Sequence, residues 1–121
     1  IFLMCRLMGL SHVNYVTLLP KSITTAIGMG VSEEAGGIVT LTVMSIILTG
    51  VIGNVLGELV FRITGVRHPI ARGLALGTSA HAIGTAKALE LGEIEGAMSS
   101  LSIAVAGLVT VIAVPIAANL I

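Results

Sequence analysis

Aspartate and tryptophan are missing from these 121 residues, and the aromatic side chains amount to one Tyr and two Phe. Charged residues make up only 10% of the chain, where soluble domains of this size carry roughly a quarter. So few charges cannot cover a water-facing surface, which excludes an ordinary soluble domain. The single cysteine, Cys5, excludes an internal disulfide. Basic and acidic residues balance at six each, so nothing suggests nucleic acid or a polybasic lipid contact. Enzymatic chemistry finds little support. Gly77-Thr78-Ser79-Ala80-His81 ends in histidine where a nucleophile elbow needs glycine, and there is no Asp to orient a base. His12, His68 and His81 lack metal-ligand spacing, Cys5 is remote from them, and no phosphate-binding Gly-Lys-Ser/Thr loop is present. No enzyme, metal or cofactor is expected.

What is abundant is apolar. Hydrophobic residues make up 55% of the chain and the mean hydropathy is +1.10, which predicts an all-α polytopic membrane protein forming one membrane domain over 1–121. Residue 1 is Ile within a hydrophobic run, with no Met start, so a fragment of a longer protein is expected. Ile1 to Met8 reads as the tail of a span in which Arg6 can snorkel to an interface. Ser11 is a candidate N-cap for a helix through Leu19, where Pro20 interrupts it. A helix resumes over Thr25 to Val31, and Ser32 to Gly37 forms an acidic loop. Ile38 to Phe61 is the cleanest span, with Gly50, Gly53 and Gly57 along one face and Glu58 placed to pair with Arg62. A basic loop with Arg62, Arg67, His68 and Arg72 follows. Ala97 to Ile121 is a second plain span, with Pro115 as an expected kink.

Two polar stretches interrupt this pattern. The first is Lys21-Ser22-Ile23-Thr24-Thr25. The second lies within Arg72 to Glu95, where Thr78, Ser79, His81, Gly84, Thr85 and Lys87 stand where a plain span would stay apolar. In lipid, polar side chains and loosened backbone persist only against protein or a water-filled cavity. Both stretches therefore read as broken helices, with Gly84 as the weak point of the second. Exposed helix N-termini at such breaks attract anions. The candidate substrate-binding residues are Lys21, Ser22, Thr24, Thr25, Thr78, Ser79, His81, Gly84 and Thr85. Hydroxyls with a cation suit a small carboxylate better than a metal. The competing reading is that the hydroxyls only back-bond to their own helices and His81 only packs. Charge predicts the basic loop on the cytoplasmic face and the acidic turns, Glu33-Glu34 and Glu90 to Glu95, on the opposite face. On that topology Ser11 to Ser32 and Gly73 to Leu89 each cross the bilayer; re-entrant hairpins are the alternative.

Pro20-Lys21-Ser22-Ile23-Thr24-Thr25 and the run Arg72 through Ala86, continued by Glu95-Gly96-Ala97 and Gly107-Leu108, resemble the LrgB/CidB family. The likeness covers nearly the whole chain and corresponds to the C-terminal half of that family. It departs at Ala26, where the family usually has Pro, so the first break is expected to be softer. The resemblance implies a bacterial inner-membrane, multi-pass protein with half of an inverted-repeat carrier fold. It also implies antiholin-like control of autolysis and murein hydrolase export, with an LrgA/CidA-like partner. Plastid relatives carry glycolate and glycerate, and bacterial ones are linked to pyruvate. The expected function is therefore transport of small monocarboxylates by a homo-oligomer in the lipid bilayer, with antiholin-like regulation as the alternative.

Overall fold

The computed structural model describes residues 1–120, which form six helices and, among them, no strand. Their bounds are α1 Phe2–Leu7, α2 His12–Leu18, α3 Thr25–Glu34, α4 Val39–Thr64, α5 Pro69–Leu91 and α6 Glu93–Ala118. Ser11 caps α2, accepting from the Asn14 backbone N–H at 3.4 Å. Pro69 starts α5 where its missing N–H costs nothing, and Gly65, with φ 73°, ends α4 in the left-handed region that favours glycine. Two helices, α4 and α6, are long and apolar enough to cross a membrane. The sequence placed both, a few residues out of register at their ends. Pro115 stands in the last turn of α6, which stays helical through it.

The two polar segments double back. Thr17 and Ser32, from α2 and α3, meet at the same buried side chain of α4: Thr42 Oγ1 donates to the Thr17 carbonyl at 2.8 Å and accepts from Ser32 Oγ at 2.7 Å. A Cβ at Gly37 would stand 2.5 Å from Ser32 Oγ and 3.1 Å from the Thr17 backbone. Thus α2 and α3 form a helical hairpin against the N-terminal half of α4, broken at 19–24. Its base is closed by Tyr15, whose hydroxyl donates to the Ala117 carbonyl at 2.8 Å, and by a cluster of Cys5, Tyr15, Val16 and Ala118.

The second hairpin lies within α5. His81, at φ 43° and ψ −133°, breaks the helix into an outgoing arm (69–80) and a returning arm (82–91). In a straight helix Leu76 and Gly84 would stand two turns apart. Here a Cβ on Gly84 would lie 2.5 Å from the Leu76 carbonyl. Both arms also reach Ser99 of α6. Thr85 Oγ1 bonds Ser99 Oγ at 2.7 Å, and a Cβ on Gly77 would meet the Ser99 carbonyl at 2.5 Å. On α4, Gly57 faces Leu76, Gly53 faces Ala80 and Gly50 faces His81 and Ile83. Lys87 of the returning arm pairs with Glu58 at 3.5 Å and Glu90 at 3.2 Å, while Glu58 holds Arg62 at 2.8 Å. The Arg62–Glu58 pair is largely exposed and contributes little to stability, whereas Lys87 is half-buried.

Two expectations change. The break falls at His81, and Gly84 lies within the returning helix. Its missing Cβ allows the arms to touch; it does not supply the bend. Neither polar segment runs from one end of the bundle to the other. The turn after Leu91 therefore sits at the same end as the basic loop, where Gly73 lies against Glu95 and Met98. The placement of Glu90 to Glu95 opposite Arg67 is overturned, because a doubled-back segment returns its charges to the side it left.

Candidate functional site

The two hairpins converge on Ile46, about two turns into α4. Its side chain fills the space left by Gly28 of the first hairpin, and its carbonyl accepts from Nε2–H of His81 in the second at 3.0 Å. Because a carbonyl can only accept, this bond fixes the imidazole proton on Nε2. On α6, Ser102 lies beside Gly77 of the second hairpin, and Gly107, further along, receives Ile23 and Ile27 of the first.

At the first tip, Pro20 ends the α2 segment and Thr24 caps α3 by position, with no side-chain cap bond. Lys21, Ser22, Thr24 and Thr25 are all half-buried there, and Ile23 between them is buried. Lys21 Nζ donates to Ser22 Oγ at 2.8 Å. Among the described residues no carboxylate pairs with Lys21, neither Glu33 nor Glu34, which lie at the base of that hairpin. Ser22 also borders a cavity of about 200 Å³ between the tip and α6, walled by Leu19, Ile23, Val109 and Val114 with Thr110.

The second cluster divides. His81, Gly84 and Thr85 turn into the protein, His81 with 2% of its surface exposed. Thr85 Oγ1 lies 3.0 Å from the His81 carbonyl as well as touching Ser99. Thr78 and Ser79 are exposed and donate to carbonyls of their own helix, Leu74 at 2.7 Å and Ala75 at 2.6 Å. For those two hydroxyls the geometry is that of back-bonding.

Sequence reasoning missed three participants. Asn54 Nδ2 donates to the Ile83 carbonyl at 2.9 Å, Ser99 holds Thr85, and the Ile46 carbonyl holds His81. Asn54 and Ser99 were visible as polar residues on the small-residue faces of plain spans. A backbone carbonyl leaves no trace in a sequence. Among the described residues no group of three His, Cys, Asp or Glu side chains is placed to hold a metal.

Comparison with known proteins agrees with the two motifs. The chain is 45% identical over 116 residues to a holin-like protein CidB of Staphylococcus epidermidis, covering 96% of this chain and 51% of that protein. It is 43% identical over 115 residues to an antiholin-like protein LrgB of Bacillus cereus, covering 95% of this chain and 50% of that one. The chain thus spans about half the length of these curated relatives. No solved structure gives a significant match. Both relatives align across both hairpins and both apolar helices, and the LrgB-like family model matches residues 1–120 without interruption. This chain, a membrane protein, belongs to the LrgB-like family.

Proposed function

We propose that this chain is the hairpin-bearing membrane part of a holin/antiholin-type regulator. In this reading it controls autolysis through an LrgA/CidA-like partner in the bacterial inner membrane. The observation that carries this reading is the likeness over nearly the whole chain to proteins named holin-like and antiholin-like. The proposed placement follows from lengths. At 1.5 Å per residue, the 26 residues of α4 and of α6 reach about 39 Å, enough for a hydrocarbon core of roughly 30 Å. The 10-residue α3 reaches about 15 Å, half of that core. Thus α4 and α6 cross in opposite directions, and the hairpins enter from opposite faces to meet near the midplane. Arg62, Arg67, Arg72 and Lys87 gather at one end, against Arg6 alone at the other, which makes the first end cytoplasmic.

One observation favours a second reading, movement of small monocarboxylates such as glycolate or pyruvate between the tips. Lys21 is a half-buried ammonium with a hydroxyl for a partner and no carboxylate, at the point where both hairpins end. Such a charge at depth calls for an anion. The deciding experiment is uptake of labelled glycolate or pyruvate by proteoliposomes holding the full-length protein, beside lysis rates in cells expressing it. The regulatory proposal expects altered lysis and no saturable uptake; saturable uptake with unchanged lysis would replace it by the carrier. If uptake is found, Lys21→Ala should weaken substrate binding by about tenfold or more, since a charge-assisted hydrogen bond is worth about 1.5–3 kcal/mol. The double variant Glu33→Gln, Glu34→Gln should leave it unchanged, and uptake untouched by Lys21→Ala would remove the anion role.

A further inference from the structure

His81 is the one described non-glycine residue with positive φ, and its φ 43°, ψ −133° is the mirror image of the extended region. Glycine adopts that conformation freely, whereas a residue with a Cβ is strained in it. The strain is held by bonds on both sides of the break. Nε2–H of His81 donates to the Ile46 carbonyl at 3.0 Å, and Asn54 of the same helix donates to the Ile83 carbonyl at 2.9 Å. Space for the ring comes from Gly50, where an added Cβ would stand 2.8 Å from His81 Cε1 and 2.7 Å from Ile83 Cδ1. The cost of a strained backbone residue and the net worth of one hydrogen bond are of similar size. A tip balanced between them has a second, relaxed position close in free energy.

We propose that the tip of the second hairpin is a two-position latch: the His81–Ile46 bond holds it strained against α4, and release lets it withdraw from the first hairpin. His81 is then a positioning residue, and the latch operates whichever reading of function holds. Strain makes an ordering that packing alone does not. Alanine at 81 keeps the strain and loses the bond, so the tip leaves. Glycine loses the bond and the strain together, so the tip stays nearer α4 even though the hole is larger.

The test is thiol labelling of Ile83→Cys, half-buried against Gly50, in full-length protein reconstituted in liposomes and freed of other reactive thiols. Relative to His81, labelling by a maleimide should quicken about tenfold with His81→Ala, the equivalent of one lost hydrogen bond. It should quicken less with His81→Gly and stay near the starting rate with His81→Gln, whose amide restores a donor. Gly50→Ala, with His81 retained, should also quicken labelling by crowding the ring, and it decides the matter if His81→Ala does not fold. Glycine at 81 labelling as fast as alanine would mark His81 as packing only and overturn the latch. So would an unchanged rate in a folded His81→Ala, or in Gly50→Ala when the alanine variant is lost.

Discussion

Gly77→Val should leave almost no folded protein in the membrane. Gly77 is where the outgoing arm of the second hairpin presses on α6. An added Cβ there would collide with Ser102 Oγ and stand 2.5 Å from the Ser99 carbonyl and 2.9 Å from Ser99 Cα. Side chains can rotate out of such a clash, but helix backbone cannot, so the arm must lift from α6. Overpacking of this kind costs about 1–3 kcal/mol when neighbours can yield and more when they cannot. Lifting the arm also breaks the Thr85–Ser99 contact. Gly30→Ala is the control: nothing lies within 4 Å of its Cβ position, so the change should be neutral or gain about 0.5–1 kcal/mol in helix propensity. Detergent-solubilised yield and melting temperature of the two variants measure the contrast. A Gly77→Val protein that melts with the parent would mean that α5 and α6 do not meet there.

Thr42→Val should produce the largest loss from a change that hardly alters shape. Thr42 is fully buried, and its hydroxyl joins both arms of the first hairpin through the Thr17 carbonyl and Ser32 Oγ. Valine fills the same volume but leaves those two groups unpaired, a cost of about 1–3 kcal/mol for buried partners. Hydrogen bonds between membrane helices often measure less, near 0.6 kcal/mol, because partners are re-found in the unfolded state. In the folded protein the close approach of Gly37 to Thr17 and Ser32 leaves these two groups little room to find another partner, which favours the upper range. Thr49→Val serves as comparison, since Thr49 donates only to the Ser45 carbonyl of its own helix, and it should cost under about 0.5 kcal/mol. Equal losses in the two variants would show that Thr42 does not tie the arms.

Much of this architecture is legible from hydropathy and helix breakers. The apolar runs marked α4 and α6, Pro20 marked the first break, and the 58–62 spacing foretold the Glu58–Arg62 pair. The direction of the chain after each break was not legible. A helix that bends and one that reverses have the same composition. What separates them is which residues lack a Cβ on facing surfaces: Gly84 against Leu76, Gly77 against Ser99. The second break was misplaced for a related reason. Glycine signals backbone freedom, yet here Gly84 provides closeness, while the unusual backbone falls on His81, whose bond to Ile46 no sequence pattern announces. The clusters at the tips were visible because polar groups are conspicuous in apolar stretches. That Thr78 and Ser79 would spend their hydrogens on their own helix depended on which face of the arm they occupy.

The proposed placement has both polar segments reaching in from opposite faces of the membrane, and the sidedness of three cysteines decides it. Arg67, Glu93 and Glu34 are all exposed, the first two at the same end of the bundle and the third at the other. Single cysteines at these positions, labelled in intact cells and in inverted vesicles with an impermeant maleimide, report their faces. Arg67→Cys and Glu93→Cys should both label only from the cytoplasmic side, and Glu34→Cys only from outside. Labelling of Arg67→Cys and Glu93→Cys from opposite sides would mean that α5 crosses the membrane and that its two arms do not form a hairpin.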